Sequence, residues 1–246
     1  MNARDSVHPS LDPKTRAALE LLERAARDYR PAALASSLGA EDMLLADLAL
    51  AHGLELEVFV IDTRRLHLDT LELIEDIRRR YGVEPRVYAP DPDAVADYIS
   101  GHGRDAFYRD PMLRKRCCEI RKVEPLRRAL AGKHAWITGQ RREQSPTRAA
   151  LAVQEFDAAH GIEKFNPLAD WSEAEVWRYL RERDVPVNRL YGQGYRSIGC
   201  APCTRPVLPG EDARAGRWWW EDANLRECGL HLAPDGRLAR ARKETA

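Results

Sequence analysis

The chain has 246 residues, enough for one large domain or one domain with an extension, and its 44% hydrophobic, 32% charged composition is that of a globular protein. Its 39 basic and 39 acidic residues cancel to a formal net charge of zero, which excludes a molecule built as a whole to lie along a polyanion. No apolar run approaches the about 18 residues that span a bilayer, and Met1-Asn2-Ala3-Arg4-Asp5 opens no apolar signal region. The expected compartment is the cytoplasm, with neither a membrane nor a nucleic acid as partner.

Leu11 to Tyr29 repeats apolar residues at helical spacing, at Leu19, Leu22 and Ala26. Ala32 to Ser37 reads as a buried strand, followed by the turn Leu38-Gly39-Ala40-Glu41-Asp42 and a helix through His52. A second strand, Leu56 to Asp62, leads to a helix over Leu66 to Tyr81; Pro85 to Tyr88 is a short third strand, and Ala94 to Ser100 is helical. Asp110-Pro111 places a capping carboxylate before a proline at the first helical position and opens the helix that bears Cys117 and Cys118. His134 to Thr138 is a fourth strand, running into Gly139-Gln140-Arg141-Arg142-Glu143-Gln144-Ser145. Ser172-Glu173-Ala174-Glu175 is a capping box that starts a helix to about Arg183. Strands alternating with helices of this length predict an α/β fold with a mostly parallel sheet flanked by helices. After Cys203 the texture changes to Pro206, Pro209, Gly210, Gly216 and three tryptophans. The expected division is therefore a body over 1–204 and a C-terminal extension, a mobile tail, over 205–246.

Five cysteines carry the chemistry: Cys117-Cys118, Cys200 and Cys203, and a lone Cys228. In a reducing compartment such spacing favours metal or redox roles over disulfides. Two residues between Cys200 and Cys203 let both thiolates reach one centre. Neighbours on a helix point about 100° apart, so a vicinal pair reaches one centre only if the helix distorts. A bulky iron–sulfur cubane accepts such a pair more readily than tetrahedral zinc. Four buried small apolar side chains are the plainer alternative. Lys122 follows Cys118 by four residues and shares its face.

Basic residues crowd the same stretch, from Arg114, Lys115 and Arg116 to Arg121, Lys122, Arg127 and Arg128, with Arg141, Arg142 and Arg148 following. On a neutral protein this suggests a small anion. Small residues in the Ser36 to Asp42 turn let helix N–H groups approach such a ligand. The segment Asp62-Thr63-Arg64-Arg65-Leu66-His67 and the Gly139 segment end two further strands, at the edge where open α/β sheets bind ligands. Cys228 lies between Glu227 and Gly229, with His231 three residues on; alone it is either a free thiol or a nucleophile.

Taken together, Gly39-Ala40-Glu41-Asp42, Asp62-Thr63, Cys117-Cys118-Glu119-Ile120-Arg121-Lys122, Gly139 to Ser145, Cys200-Ala201-Pro202-Cys203, Arg214 with Arg217-Trp218-Trp219-Trp220, and Glu227-Cys228-Gly229-Leu230-His231 resemble the assimilatory adenylyl-sulfate (APS) reductases of the APS/PAPS reductase family. The resemblance spans about Ser36 to His231. It implies an adenine-nucleotide α-hydrolase-like fold and a [4Fe–4S] cluster on Cys117, Cys118, Cys200 and Cys203. It further implies that Cys228 attacks the sulfur of APS, releasing AMP, and that thioredoxin or a glutaredoxin then frees sulfite. Lys122, Arg148, Arg214 and Arg217 would hold the phosphosulfate. Ser36, Gly39, Asp42 and Gly139 would line the nucleotide site, and the enzyme would be a homo-oligomer. The alternatives are reduction of 3′-phospho-APS (PAPS), dual specificity, or a nucleotide-binding regulator without turnover. Leu38 replaces the serine or glycine that many relatives carry in this turn. That argues against ATP pyrophosphatase chemistry.

Overall fold

A computed structural model of the chain describes residues 11–145 and 148–221. The predicted α/β fold with a mostly parallel sheet flanked by helices is present. Along β1 (Ala32–Ser36), β2 (Glu57–Ile61) and β4 (Ala135–Ile137), buried side chains alternate between the two sheet faces. Leu34, Val58, Val60, Ala135 and Ile137 pack on one side with α1 (Pro13–Asp28), α2 (Ala40–Ala51), α3 (Leu68–Tyr81) and α7 (Glu173–Glu182). Ala33, Phe59 and Trp136 pack on the other, against Leu126, Ala129 and Leu130 of α6 (Glu124–Leu130). Both faces being covered explains why the strands read as continuous apolar runs.

The sheet has six strands in the order β3-β2-β1-β4-β6-β5, where β3 is Arg86–Tyr88. All neighbouring pairs are parallel except β5 (Gln154–Asp157) with β6 (Ile162–Phe165), an antiparallel hairpin that the sequence reading does not anticipate. The chain leaves β1 toward β2 and β3 and returns on the opposite side at β4. The sheet therefore switches direction between β1 and β4, where a crevice opens at the carboxyl ends of the strands.

Between β3 and β4 run α4 (Pro92–His102) and then α5 (Pro111–Cys118), which continues into α6 through a wider turn at Glu119–Val123. There the Glu124 N–H bonds the Glu119 carbonyl five residues back, a π-type step. Pro125 supplies the cause: it has no N–H to donate, and in a regular helix its ring would strike the carbonyl four residues earlier. The distortion expected of a vicinal cysteine pair thus lies directly after Cys118.

The stretch from Thr204 to Glu221 is tied to the body. Arg205 N–H donates to the Gly216 carbonyl at 3.0 Å, and Trp218 N–H to the Cys203 carbonyl at 3.1 Å. Trp218 is 1% exposed, and the Arg114 Nε to Glu221 Oε1 pair, at 2.6 Å, is buried at both ends. Cys228 and His231 lie outside the described residues. Among the described residues no helix is long and apolar enough to cross a membrane.

Candidate active site

The turn after β1 is built around two special backbone positions. Leu38 has φ of +62° and a side chain only 1% exposed, so a core residue is held in the left-handed region. That costs about 1–2 kcal/mol, offset by burial of the isobutyl group. The Ser36 hydroxyl accepts from Leu38 N–H at 3.2 Å. Asp42 Oδ2 accepts from Ser37 N–H at 2.7 Å and from Ser37 Oγ at 2.6 Å. Burial lifts the Asp42 carboxyl from 3.8 to about 6 even though both Ser37 bonds pull the other way. Ala40 N–H donates to the Tyr191 hydroxyl at 2.9 Å. The turn's own carboxylate and a tyrosine thus take donors that a phosphate would otherwise use.

Gly139, at the end of β4, faces this turn. A Cβ there would lie 2.4 Å from Asp42 Oδ1 and 2.8 Å from Glu41 Cβ, so the two strand ends approach as closely as they do only with glycine. Arg141 follows and is largely consumed by Glu41: Nε and Nη2 lie 2.9 and 2.8 Å from Glu41 Oε1, and Nη1 reaches Glu143 at 2.7 Å. Arg142 turns away, donating to the Leu151 carbonyl at 2.7 Å and pairing with Asp170.

These elements enclose one cavity of about 560 Å³. All eight residues expected at the nucleotide site line it: Ser36, Gly39, Asp42, Lys122, Gly139, Arg148, Arg214 and Arg217. Of the basic run between Arg114 and Arg128, only Lys122 is part of this wall. Arg114 is spent on Glu221, Arg127 pairs with Glu119, and Arg128 pairs with Glu124. Arg217 is pressed over the Trp218 ring at 4.7 Å, and its Nη1 donates to the Ile198 carbonyl at 3.2 Å. A Cβ at Gly199 would sit 2.6 Å from Arg217 Nη2, so glycine makes room for the guanidinium. Tyr191, Trp177, Arg196 and Ser197 also line the cavity and were not singled out from sequence. They come from α7 and the irregular loop after it, where no periodic pattern marks them; the nearness of Arg196 to Cys200 was the available signal. Arg196 pairs with Glu173 at 2.6 Å.

A second, smaller cavity of about 20 Å³ adjoins the first and shares Lys122 and Trp218 with it. Cys117, Cys118, Cys200 and Cys203 all line it, with Arg65, Arg114 and Arg121. The Cys200–Cys203 loop is docked on the end of β2: Ala201 N–H donates to the Arg65 carbonyl at 2.7 Å, and Thr63 Oγ1 lies 3.2 Å from Cys200 Sγ. Arg121 Nη1 donates to the Thr63 carbonyl at 2.8 Å, joining the cysteine-bearing helix to the same strand end. Burial pushes the Cys203 thiol up to about 12 and raises that of Cys117 as well.

Among the described residues no three His, Cys, Asp or Glu side chains close on a single-ion point. All four cysteines line the one small cavity, together with Arg65, Arg114, Arg121 and Lys122. That donor set suits a polynuclear, thiolate-ligated and anionic group better than one zinc ion.

The sequence matches the Phosphoadenosine phosphosulfate reductase domain over residues 31–206. It is 54% identical to an adenosine 5′-phosphosulfate reductase of Allochromatium vinosum, over 90% of this chain and 87% of that protein. It is also 54% identical to one of Burkholderia cepacia, over 92% and 91%. A crystal structure of phosphoadenylyl-sulfate reductase from Candida auris, a phosphate complex, superposes with a TM-score of 0.66 at 27% identity, covering 77% of this chain and 90% of that one. The doubly covered parallel sheet, the crevice at its switch point and these likenesses agree: the chain belongs to the phosphoadenosine phosphosulfate reductase domain family and is an enzyme akin to the adenosine 5′-phosphosulfate reductases.

Proposed function

We propose that the protein reduces adenosine 5′-phosphosulfate to sulfite and AMP in sulfate assimilation. The reading rests chiefly on one juxtaposition: an anion-sized cavity with Lys122, Arg148, Arg214 and Arg217 on its wall adjoins the four-cysteine cavity. The names of the relatives at about half identity support the choice of substrate.

In this reading the β1–α2 turn and Gly139 receive the adenosine, and the cations receive the phosphosulfate. Cys228 attacks the sulfur as thiolate; the new S–S bond forms as the bond from sulfur to the bridging oxygen breaks. AMP departs with the electron pair, its developing charge met by the lysine and arginine side chains. The thiolate of a thioredoxin-type dithiol then attacks Cys228 Sγ and expels sulfite. Its second thiol resolves the mixed disulfide and regenerates Cys228. Cys228 stands seven positions beyond Glu221, the last described residue, a length of chain that spans at most about 25 Å.

Cys117, Cys118, Cys200 and Cys203 would hold a [4Fe–4S] cluster, which would supply local electrostatics and fix the helix bearing Lys122.

The test uses anaerobically purified protein. With APS and no reductant, Cys228 should gain the mass of one SO₃ group, and adding thioredoxin should release sulfite stoichiometrically. Cys228→Ser should still bind AMP yet form neither adduct nor sulfite. Sulfite production by that variant would sink the reading.

A further inference from the structure

The wall of the large cavity at the β1–α2 turn is short of available positive charge. Three guanidiniums meet there with four carboxylates. Arg141 is bonded through Nε and Nη2 to Glu41 and through Nη1 to Glu143 and, at 3.2 Å, to the Trp171 carbonyl. Arg148 Nη1 donates to Gln144, whose own Nε2 donates to Glu41 at 3.0 Å. Arg196 is paired with Glu173. Asp42, buried behind the turn, is the fourth carboxylate. Glu41 sits at the hub, with Arg141 and Gln144 both bound to one of its oxygens. Lys122, by contrast, lines the cysteine cavity as well, and Arg217 stacks at 4.7 Å on Trp218, which also lines it. The anionic half of a nucleotide belongs at that end, which leaves the nucleoside against the carboxylates.

A nucleotide that also carries a phosphate on its ribose brings close to two further negative charges at neutral pH. Arg141 is the group suited to receive it, since a guanidinium matches phosphate geometry. Glu41 already occupies that fork. Resting on the function proposed above, we propose that Glu41, through its pair with Arg141, is a specificity-determining residue that selects nucleotides without a 3′-phosphate.

The experiment compares kcat/KM for APS and PAPS, and the inhibition constants of AMP and adenosine 3′,5′-bisphosphate, in the wild type and three variants. The wild type should favour APS. Glu41→Gln, which keeps the shape but not the charge, should shift the kcat/KM ratio toward PAPS by tenfold or more. The inhibition constants should move the same way, and the gain should shrink as salt is raised. Glu41→Asp should keep the wild-type preference. Glu143→Gln, at the more exposed partner of Arg141, should shift both ratios in the same direction by less. An unchanged ratio in Glu41→Gln overturns the proposal; if that variant fails to bind AMP, an unchanged ratio in Glu143→Gln does so. A wild type that uses both nucleotides equally also overturns it while leaving APS reduction standing. Sulfite from neither nucleotide would instead defeat the functional reading itself.

Discussion

Asp42 shows how one residue of the site carries a thermodynamic cost. Its native carboxyl titrates near 6, above the ordinary 3.8, because burial disfavours the anion more than the Ser37 bonds favour it. Between those two values the folded protein holds a proton that the unfolded chain releases. This group's contribution to stability therefore falls as pH rises through the window and levels off above about 6. At 1.36 kcal/mol per pH unit the loss is at most about 3 kcal/mol. Asp42→Asn should flatten the decline of Tm between about pH 4 and 6.5 relative to the wild type; parallel thermal profiles would refute this. Residues such as Cys117, Cys118, Lys122 and Gly139 were legible in the sequence because motif spacing placed them. Tyr191 and Arg196 were not, since loop geometry alone brings them to the wall. Leu38 read as a departure within an anion-binding turn; its burial assigns it to the core.

At the scale of elements, the continuous apolar runs of β1, β2 and β4, alternating with helices, made the parallel sheet readable. The β5–β6 hairpin was not readable, for a physical reason. Three of the four residues in Gln154-Glu155-Phe156-Asp157 are polar, Phe156 is exposed, and the strands span four residues each. What holds them is tertiary: Trp136 Nε1 donates to Asp157 at 3.1 Å, and Gly161 takes φ of +71° in the turn. The widened turn at Glu119–Val123 was foreseeable only in part. The vicinal cysteines demanded a distortion, and Pro125 gives it a place. Pro125→Ala restores an N–H that can close a regular turn on Arg121. Under the proposed function this variant should keep its helical circular dichroism yet retain fewer irons per chain after anaerobic purification. Unchanged iron content would count against the π-turn as the feature that presents the pair.

For the whole molecule, the change of texture at 205 is not where contact with the body ends. The residues up to Glu221 are stitched to the body by backbone bonds and by Arg114, which is fully buried between Glu221 and the Trp218 ring, 4.6 Å away. Removing one partner of a buried ion pair strands the other, at about 3–5 kcal/mol. Glu221→Ala should therefore lower Tm and expose the 205–221 segment to limited proteolysis. A digestion pattern like that of the wild type would show that the pair does not anchor it.

Lys122 and Trp218 belong to the walls of both cavities. Two occupants that press on the same ammonium and the same indole from opposite sides do not bind independently. Under the proposed function thermodynamic reciprocity then applies: whatever factor a cluster held by the four cysteines would add to nucleotide affinity, bound nucleotide would return to the affinity for the cluster. A nucleotide that binds more tightly beside the filled cysteine cavity would then protect the cluster in return, and one that binds more weakly would loosen it.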